Sequence, residues 1–110
     1  MTGQTDGVAK QISVLEAARL VEEQGGVLLD VREPDEWSYV RAPGALHIPM
    51  RELSTSTDLL PAQAPIACIC HVGARSAIVA DALVSAGYDA VNVAGGMDAW
   101  ESAGLPVERG

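Results

Sequence analysis

The chain has 110 residues, 48% of them hydrophobic, and a net charge of −8 with a single lysine, Lys10, against fifteen acids. That length fits one domain with one core, and the apolar content excludes a disordered chain. The acidic balance argues against nucleic acid and against anionic membranes as partners, because both reward a basic surface.

The first segment, "MTGQTDGVAKQ", has neither the apolar stretch nor the basic cluster of a secretory signal, and no run approaches the length of a membrane span. Residues 1–11 read as a polar tail ahead of a domain over 12–110, and the expected compartment is the cytoplasm, where thiols stay reduced. "SVLEAARLVEEQGG" (13–26) is a helix: Ser13 and Glu16 have capping-box spacing, and Val14, Ala17, Ala18 and Val21 recur on one side. Gly25 and Gly26 end it. "VLLDV" (27–31) is a short apolar run that reads as a buried strand. In "REPDEWSYV" (32–40) Pro34 suits a first helical turn. "ALHI" (45–48) is a further short strand closed by Pro49, and "MRELSTSTDLLPAQAP" (50–65) mixes short helix with loop.

"IACIC" (66–70) is the next buried strand. "RSAIVADALVSAGY" (75–88) is a helix with Ala77, Val79, Ala80, Leu83 and Val84 on its apolar side and Gly87 at its end. "AVNV" (90–93) is a strand, and "GGMDAWESAG" (95–104) opens with glycines and becomes a short helix. Strands alternating with helices point to an α/β fold with a mostly parallel sheet covered on both faces. In such sheets chemistry gathers at the C-terminal ends of strands, here "DVRE" (30–33) and "CHVGARS" (70–76).

Cys70 ends a strand, and the chain then turns through His71, Val72, Gly73 and Ala74 into a helix near Arg75. Such a turn aims backbone N–H groups inward, the helix N-terminus adds partial positive charge, and Arg75 adds a full one. Each favours a thiolate. Spacing alone leaves two readings of Cys70 open, an activated nucleophile or a buried core thiol. Cys68, inside the strand, reads as a core thiol with a resolving thiol as its alternative. Extended chain would put the two Cα atoms roughly 6.6 Å apart, so a disulfide between them would be strained. Cys68, Cys70, His71 and His47 make a four-ligand zinc set on paper, but without the paired spacing of structural zinc sites. No metal site is expected. His47 reads as structural and His71 as a side chain at the pocket mouth.

Four stretches in order, "LLDVREPDEW", "PGALHIP", "CHVGARS" and "AGGMDAWESAGLPV", resemble the single-domain rhodanese (thiosulfate sulfurtransferase) family over roughly residues 12 to 107. The resemblance implies a rhodanese-like fold, a five-stranded mostly parallel sheet flanked by helices. It implies Cys70 as the catalytic, sulfur-accepting nucleophile, with His71, Val72, Gly73, Ala74, Arg75 and Ser76 as the cradle that binds substrate. Asp30 and Arg32 match the family's Asp-x-Arg motif and are expected to support the loop, their alternative being a solvated charge pair. Trp37 and Trp100 match aromatic positions and read as packing residues, with Trp37 also placed to line the rim. No metal or organic cofactor is implied. The partners implied are a small sulfur-donor anion of the thiosulfate kind and a thiol, cyanide or protein acceptor.

From Cys70 to Arg75 there are six residues, the length that goes with sulfur transfer in this family. Related phosphatases and arsenate reductases have a loop one residue longer, wide enough for a tetrahedral oxyanion. A sulfur-carrier or regulatory module acting only with a protein partner needs the same loop and stays open as the alternative. The chain departs from the family at Val40-Arg41-Ala42-Pro43-Gly44-Ala45, where Gly-His-Ile-Pro-Gly-Ala is common. That departure adds Arg41 on the active-site side, where it would bias the donor toward anions.

Overall fold

A computed structural model describes residues 7–110; residues 1–6 of the expected tail lie outside it. In chain order the elements are β1 (Lys10–Ile12), α1 (Val14–Gln24), β2 (Val27–Asp30), α2 (Pro34–Tyr39), β3 (Val40–Arg41) and β4 (Leu46–His47). Two 3₁₀ turns follow, Met50–Thr55 and Thr57–Leu59, then β5 (Ile66–Ile69), α3 (Ala74–Ser85), β6 (Ala90–Val93), α4 (Gly96–Ser102) and β7 (Glu108–Arg109).

Five strands form one parallel sheet in the order β1-β6-β5-β2-β4, and β3 pairs with β7 antiparallel beside it. The expected parallel α/β architecture is therefore present. Lys10 and Gln11, read with the polar tail, instead belong to the edge strand β1, in register with Val91 and Asn92. Three residues of mixed polarity carry no periodic signal, and it is the β6 edge that recruits them.

Period-2 alternation in the central strand β5 sends its side chains to two cores. Ile66 and Cys68 pack with Leu29, Val31, Val79, Ala80 and Leu83, under α3. Ala67 and Ile69 pack with Val14, Ala17, Leu20, Met97 and Trp100, under α1 and α4. Leu29, Ile66 and Ile69 are fully buried, and each side chain of this kind contributes roughly 2 kcal/mol by leaving water. Helix α1 carries the expected capping box: Ser13 Oγ accepts from the Glu16 amide at 3.1 Å, and Glu16 accepts from the Ser13 amide at 2.8 Å. Its buried side is Val14, Ala17 and Leu20; Val21, expected inward, is 37% exposed beside a shallow apolar cleft floored by Trp100. Among the described residues no helix is long and apolar enough to cross a membrane.

Because β5 lies between β2 and β6, the loops that leave these three strands at their C-terminal ends are neighbours. They carry Arg32–Glu36, Cys70–Ser76 and Gly95–Met97.

Candidate active site

The β5 strand stops at Ile69, and Cys70 is the next residue, 1% exposed. The chain then turns sharply, with Gly73 at φ 109° as the residue before α3. That left-handed angle disfavours any side chain, and a Cβ there would sit 3.3 Å from the Gly95 nitrogen. The turn brings the Gly73 amide to 3.1 Å from Cys70 Sγ, and the first turn of α3 brings Ser76 Oγ to 3.3 Å from the same atom.

The loop amides can face the sulfur because its carbonyls are engaged elsewhere. Met97 N–H donates to the Cys70 carbonyl at 2.8 Å and Asp98 N–H to the His71 carbonyl at 3.0 Å. Both amides belong to the start of α4, where helical N–H groups have no partner in their own helix. The approach is close at Gly96, where a Cβ would fall 2.4 Å from the Cys70 oxygen and 2.5 Å from the His71 oxygen. Asn92 Nδ2, from β6, donates to the Gly73 carbonyl at 3.2 Å and to Gln11 Oε1 at 2.8 Å.

Burial pushes the Cys70 thiol up, but the Ser76 hydroxyl and the amides of Ser76, Gly73 and Arg75 outweigh it and leave the pKa below the ordinary thiol value. Cys68, two residues earlier, lacks such donors, and burial alone pushes it up to about 12. The two cysteines thus differ in their surroundings: donors converge on the sulfur of Cys70, and burial without donors surrounds that of Cys68. Both are free.

Arg75 does not stand over the loop as an unpaired cation. Its guanidinium makes a two-pronged pair with Glu36 of α2, Nη1 to Oε1 at 2.8 Å and Nη2 to Oε2 at 2.9 Å. Arg75 holds the Glu36 carboxyl down at about 2. Glu36, thirty-nine residues away in sequence, was not singled out from the sequence; no spacing rule connects a helix-α2 acid to a helix-α3 base.

Asp30 and Arg32 form a buried pair, Nη2 to Oδ2 at 2.8 Å. Arg32 also donates to the carbonyls of Glu36 at 3.3 Å and Val40 at 2.6 Å. The pair therefore braces the segment that carries Glu36, and its side-chain bonds reach the loop through Glu36 and Arg75. His71 is exposed and lines a cleft of about 270 Å³ with Arg32, Glu36, Tyr39, Val40, Met97 and Glu101. Val72 is exposed at the loop tip.

His47 stacks on Trp37, with ring centroids 4.5 Å apart and planes 5° from parallel. Its Nε2 donates to the Arg32 carbonyl at 2.8 Å, since a carbonyl can only accept. Among the described residues no group of three or more His, Cys, Asp and Glu side chains is placed to hold a metal ion. Arg41 lies 5.6 Å from the Trp37 ring centroid and pairs with Glu108 at 3.4 Å, so its charge is spent on β7. Trp100 is buried, its indole N–H donating to the Pro106 carbonyl at 2.8 Å.

The sequence is similar to thiosulfate sulfurtransferase GlpE of Actinobacillus succinogenes, 37% identical over 90 residues that cover 81% of each chain. It is also similar to the protein of that name from Actinobacillus pleuropneumoniae serotype 3, 34% identical over 89% of this chain and 92% of the relative. In structure it resembles a rhodanese-related protein from Thermoplasma volcanium, with a TM-score of 0.83 and 30% identity over 90% of this chain and 97% of that one. The family described as Rhodanese-like domain matches residues 13–103, from the cap of α1 to the end of α4, and the chain belongs to that family.

Proposed function

We propose that the protein is a sulfurtransferase that carries sulfane sulfur on Cys70. The thiolate attacks the outer sulfur of thiosulfate or of a persulfide donor. The donor's S–S bond breaks, its electron pair leaves with sulfite (or a thiolate), and a new S–S bond makes Cys70 a persulfide. A thiol, cyanide or protein thiolate then attacks the outer sulfur, takes it, and releases the Cys70 thiolate. The amides of Gly73, Arg75 and Ser76 and the Ser76 hydroxyl stabilise first the thiolate and then the persulfide anion. His71, Val72, Gly73, Ala74, Arg75 and Ser76 form the wall against which the donor lies, and Asp30 and Arg32 brace it from behind. The reaction uses the reduced thiol throughout, which suits the cytoplasm.

The observation that supports this reading most is the convergence of Gly73 N–H and Ser76 Oγ–H on one sulfur at a strand end. A structural cysteine needs no such donors. With Cys70 only 1% exposed, the group that reaches it is slim, as a terminal sulfur atom is. The test is intact-protein mass after incubation with thiosulfate, followed by thiocyanate production on adding cyanide. One added sulfur atom that vanishes in Cys70→Ser supports the reading; sulfur on Cys68 defeats it. Loading only in the presence of a persulfidated protein donor would favour a sulfur-carrier module.

A further inference from the structure

Among the described residues, no basic side chain at the Cys70 end of the sheet is left without an acidic partner. Seven basic residues are present in the chain. Arg32 is paired with Asp30, Arg41 with Glu108, Arg51 with Glu33, Arg75 with Glu36 and Arg109 with Glu101. The remaining two, Lys10 and Arg19, line a cleft with Pro65 and Asp89. Those two residues precede β5 and β6, so that cleft lies at the opposite end of the sheet from Cys70.

Arg75 is the one cation within the Cys70 loop, and its pair is of the strong kind, two parallel N–H to oxygen bonds at 2.8 and 2.9 Å. Glu36 first, then the Cys70 thiolate and Glu33, hold the proton on Arg75, and the carboxyl of Glu36 is ionised at every pH where a thiolate exists. What remains to attract a donor is the partial charge of backbone amides at the start of α3, a twelve-residue helix. Amide dipoles suffice for one negative charge beside a thiolate. They are a weak counterweight to two.

We propose that Glu36 sets the charge class of the sulfur donor: by holding Arg75 as a neutral pair at the mouth of the loop, it makes the protein favour a monoanionic sulfane donor, of the thiosulfonate or alkyl persulfide class, over dianionic thiosulfate. This rests on the sulfur-transfer reading above and specifies its donor. For a thiosulfonate, the Cys70 thiolate attacks the terminal sulfur, the S–S bond breaks, and the electron pair departs on a sulfinate. Two negative charges enter the step and two leave it, as persulfide and sulfinate. With thiosulfate three enter and three leave, so one more charge must be held at the same mouth.

The experiment compares kcat/KM for thiosulfate and for methanethiosulfonate, with cyanide as the acceptor, in the wild type and in Glu36→Gln. The ratio of the two cancels the donors' intrinsic reactivities. Freeing Arg75 is expected to raise the thiosulfate-to-methanethiosulfonate ratio about tenfold, mostly through the KM of thiosulfate. Added salt should erode the gain. Glu36→Asp keeps the charge and should stay near the wild-type ratio. Arg75→Gln leaves the Glu36 carboxylate unpaired at the mouth and should push the ratio below the wild type. Glu36→Gln combined with Arg75→Gln replaces a neutral pair by two neutral groups and should return the ratio to that of the wild type. A double variant as low as Arg75→Gln alone would make Arg75 a donor-binding cation and overturn the proposal. A ratio unchanged in both Glu36→Gln and Arg75→Gln, or an equal fall for both donors, would make Glu36 a prop for the loop and overturn the proposal. Absence of transfer from either donor in the wild type would instead defeat the sulfur-transfer reading on which it stands.

Discussion

The hydroxyl of Ser76 lies 3.3 Å from the sulfur of Cys70, although the two residues are six apart and belong to different elements. Ser76 is fully buried, so its proton has nowhere better to go than the sulfur. Cys68 shows what the same strand does to a thiol without that help: burial pushes it up to about 12. The contrast assigns the lowered pKa of Cys70 to the donors around it, the hydroxyl of Ser76 and the loop amides working against desolvation.

Ser76→Ala should therefore raise the Cys70 pKa, because it removes one hydrogen bond to the charged acceptor. Only the thiolate is alkylated, so the rate of reaction with iodoacetamide climbs as pH rises through that pKa. In the wild type the midpoint should fall below the ordinary thiol value of 9.0, and in Ser76→Ala it should move upward. Peptide mapping would confirm that the label is on Cys70. An unmoved midpoint would mean that the amides alone hold the thiolate.

Gly96→Ala should be damaging for a reason unrelated to Gly96 chemistry. A methyl group there would lie 2.4 Å from the Cys70 carbonyl oxygen and 2.5 Å from that of His71, at a φ of 56°. Backbone must move, and the two amide bonds from α4 to the loop are the first casualties. We expect a loss of roughly 2–3 kcal/mol in denaturant unfolding together with a Cys70 that alkylates more slowly at neutral pH. Gly104→Ala is the control for backbone strain alone, since that position shares a left-handed φ, 76°, but has open space around it; it should lose less than Gly96→Ala.

Much of this site was legible in the sequence because it is local. Cys70, Gly73 and Ser76 sit within one strand-turn-helix unit, where spacing determines geometry. The Asp30–Arg32 pair is equally local. Glu36 was not legible, since it meets Arg75 only after α2 and α3 are placed by a sheet whose order differs from chain order. The partner of Arg41 is non-local for the same reason: Glu108 arrives with a strand at the far end of the chain. Strand β1 was missed because an edge strand of three residues is specified by its neighbour rather than by its own pattern. Asn92 did leave a signal, a polar side chain within the apolar run "AVNV", since a buried amide needs partners.

Asn92 is in register with Cys68 on the neighbouring strand, and its Nδ2 holds the Gly73 carbonyl at 3.2 Å. The amide of the same residue, on the preceding peptide unit, donates to Cys70 Sγ. Asn92→Asp keeps the shape but replaces the donor with an acceptor and brings negative charge toward the thiolate. It should move the Cys70 alkylation midpoint up, and Asn92→Ala should move it less. Equal midpoints for both variants and the wild type would show that Gly73 keeps its conformation without Asn92.

Cys68 gives the protein a particular weakness to alkali. Its folded pKa of about 12 lies above the ordinary thiol value of 9.0 because burial penalises the thiolate. A group whose folded pKa is raised adds stability that is whole below its unfolded pKa and is lost as pH climbs through the folded one. The window is thus between about 9 and about 12, where the unfolded chain sheds this proton and the folded chain keeps it. Across that window the loss approaches about 1.4 kcal/mol per pH unit for a single group. Cys68→Ala should cost about 1–2 kcal/mol at neutral pH by leaving a small void, yet show a shallower decline above pH 9. Urea unfolding of both proteins at several alkaline pH values isolates the effect, because every other titrating group is shared between them. Parallel curves would mean that the thiol ionises in place, with water reaching the middle of β5.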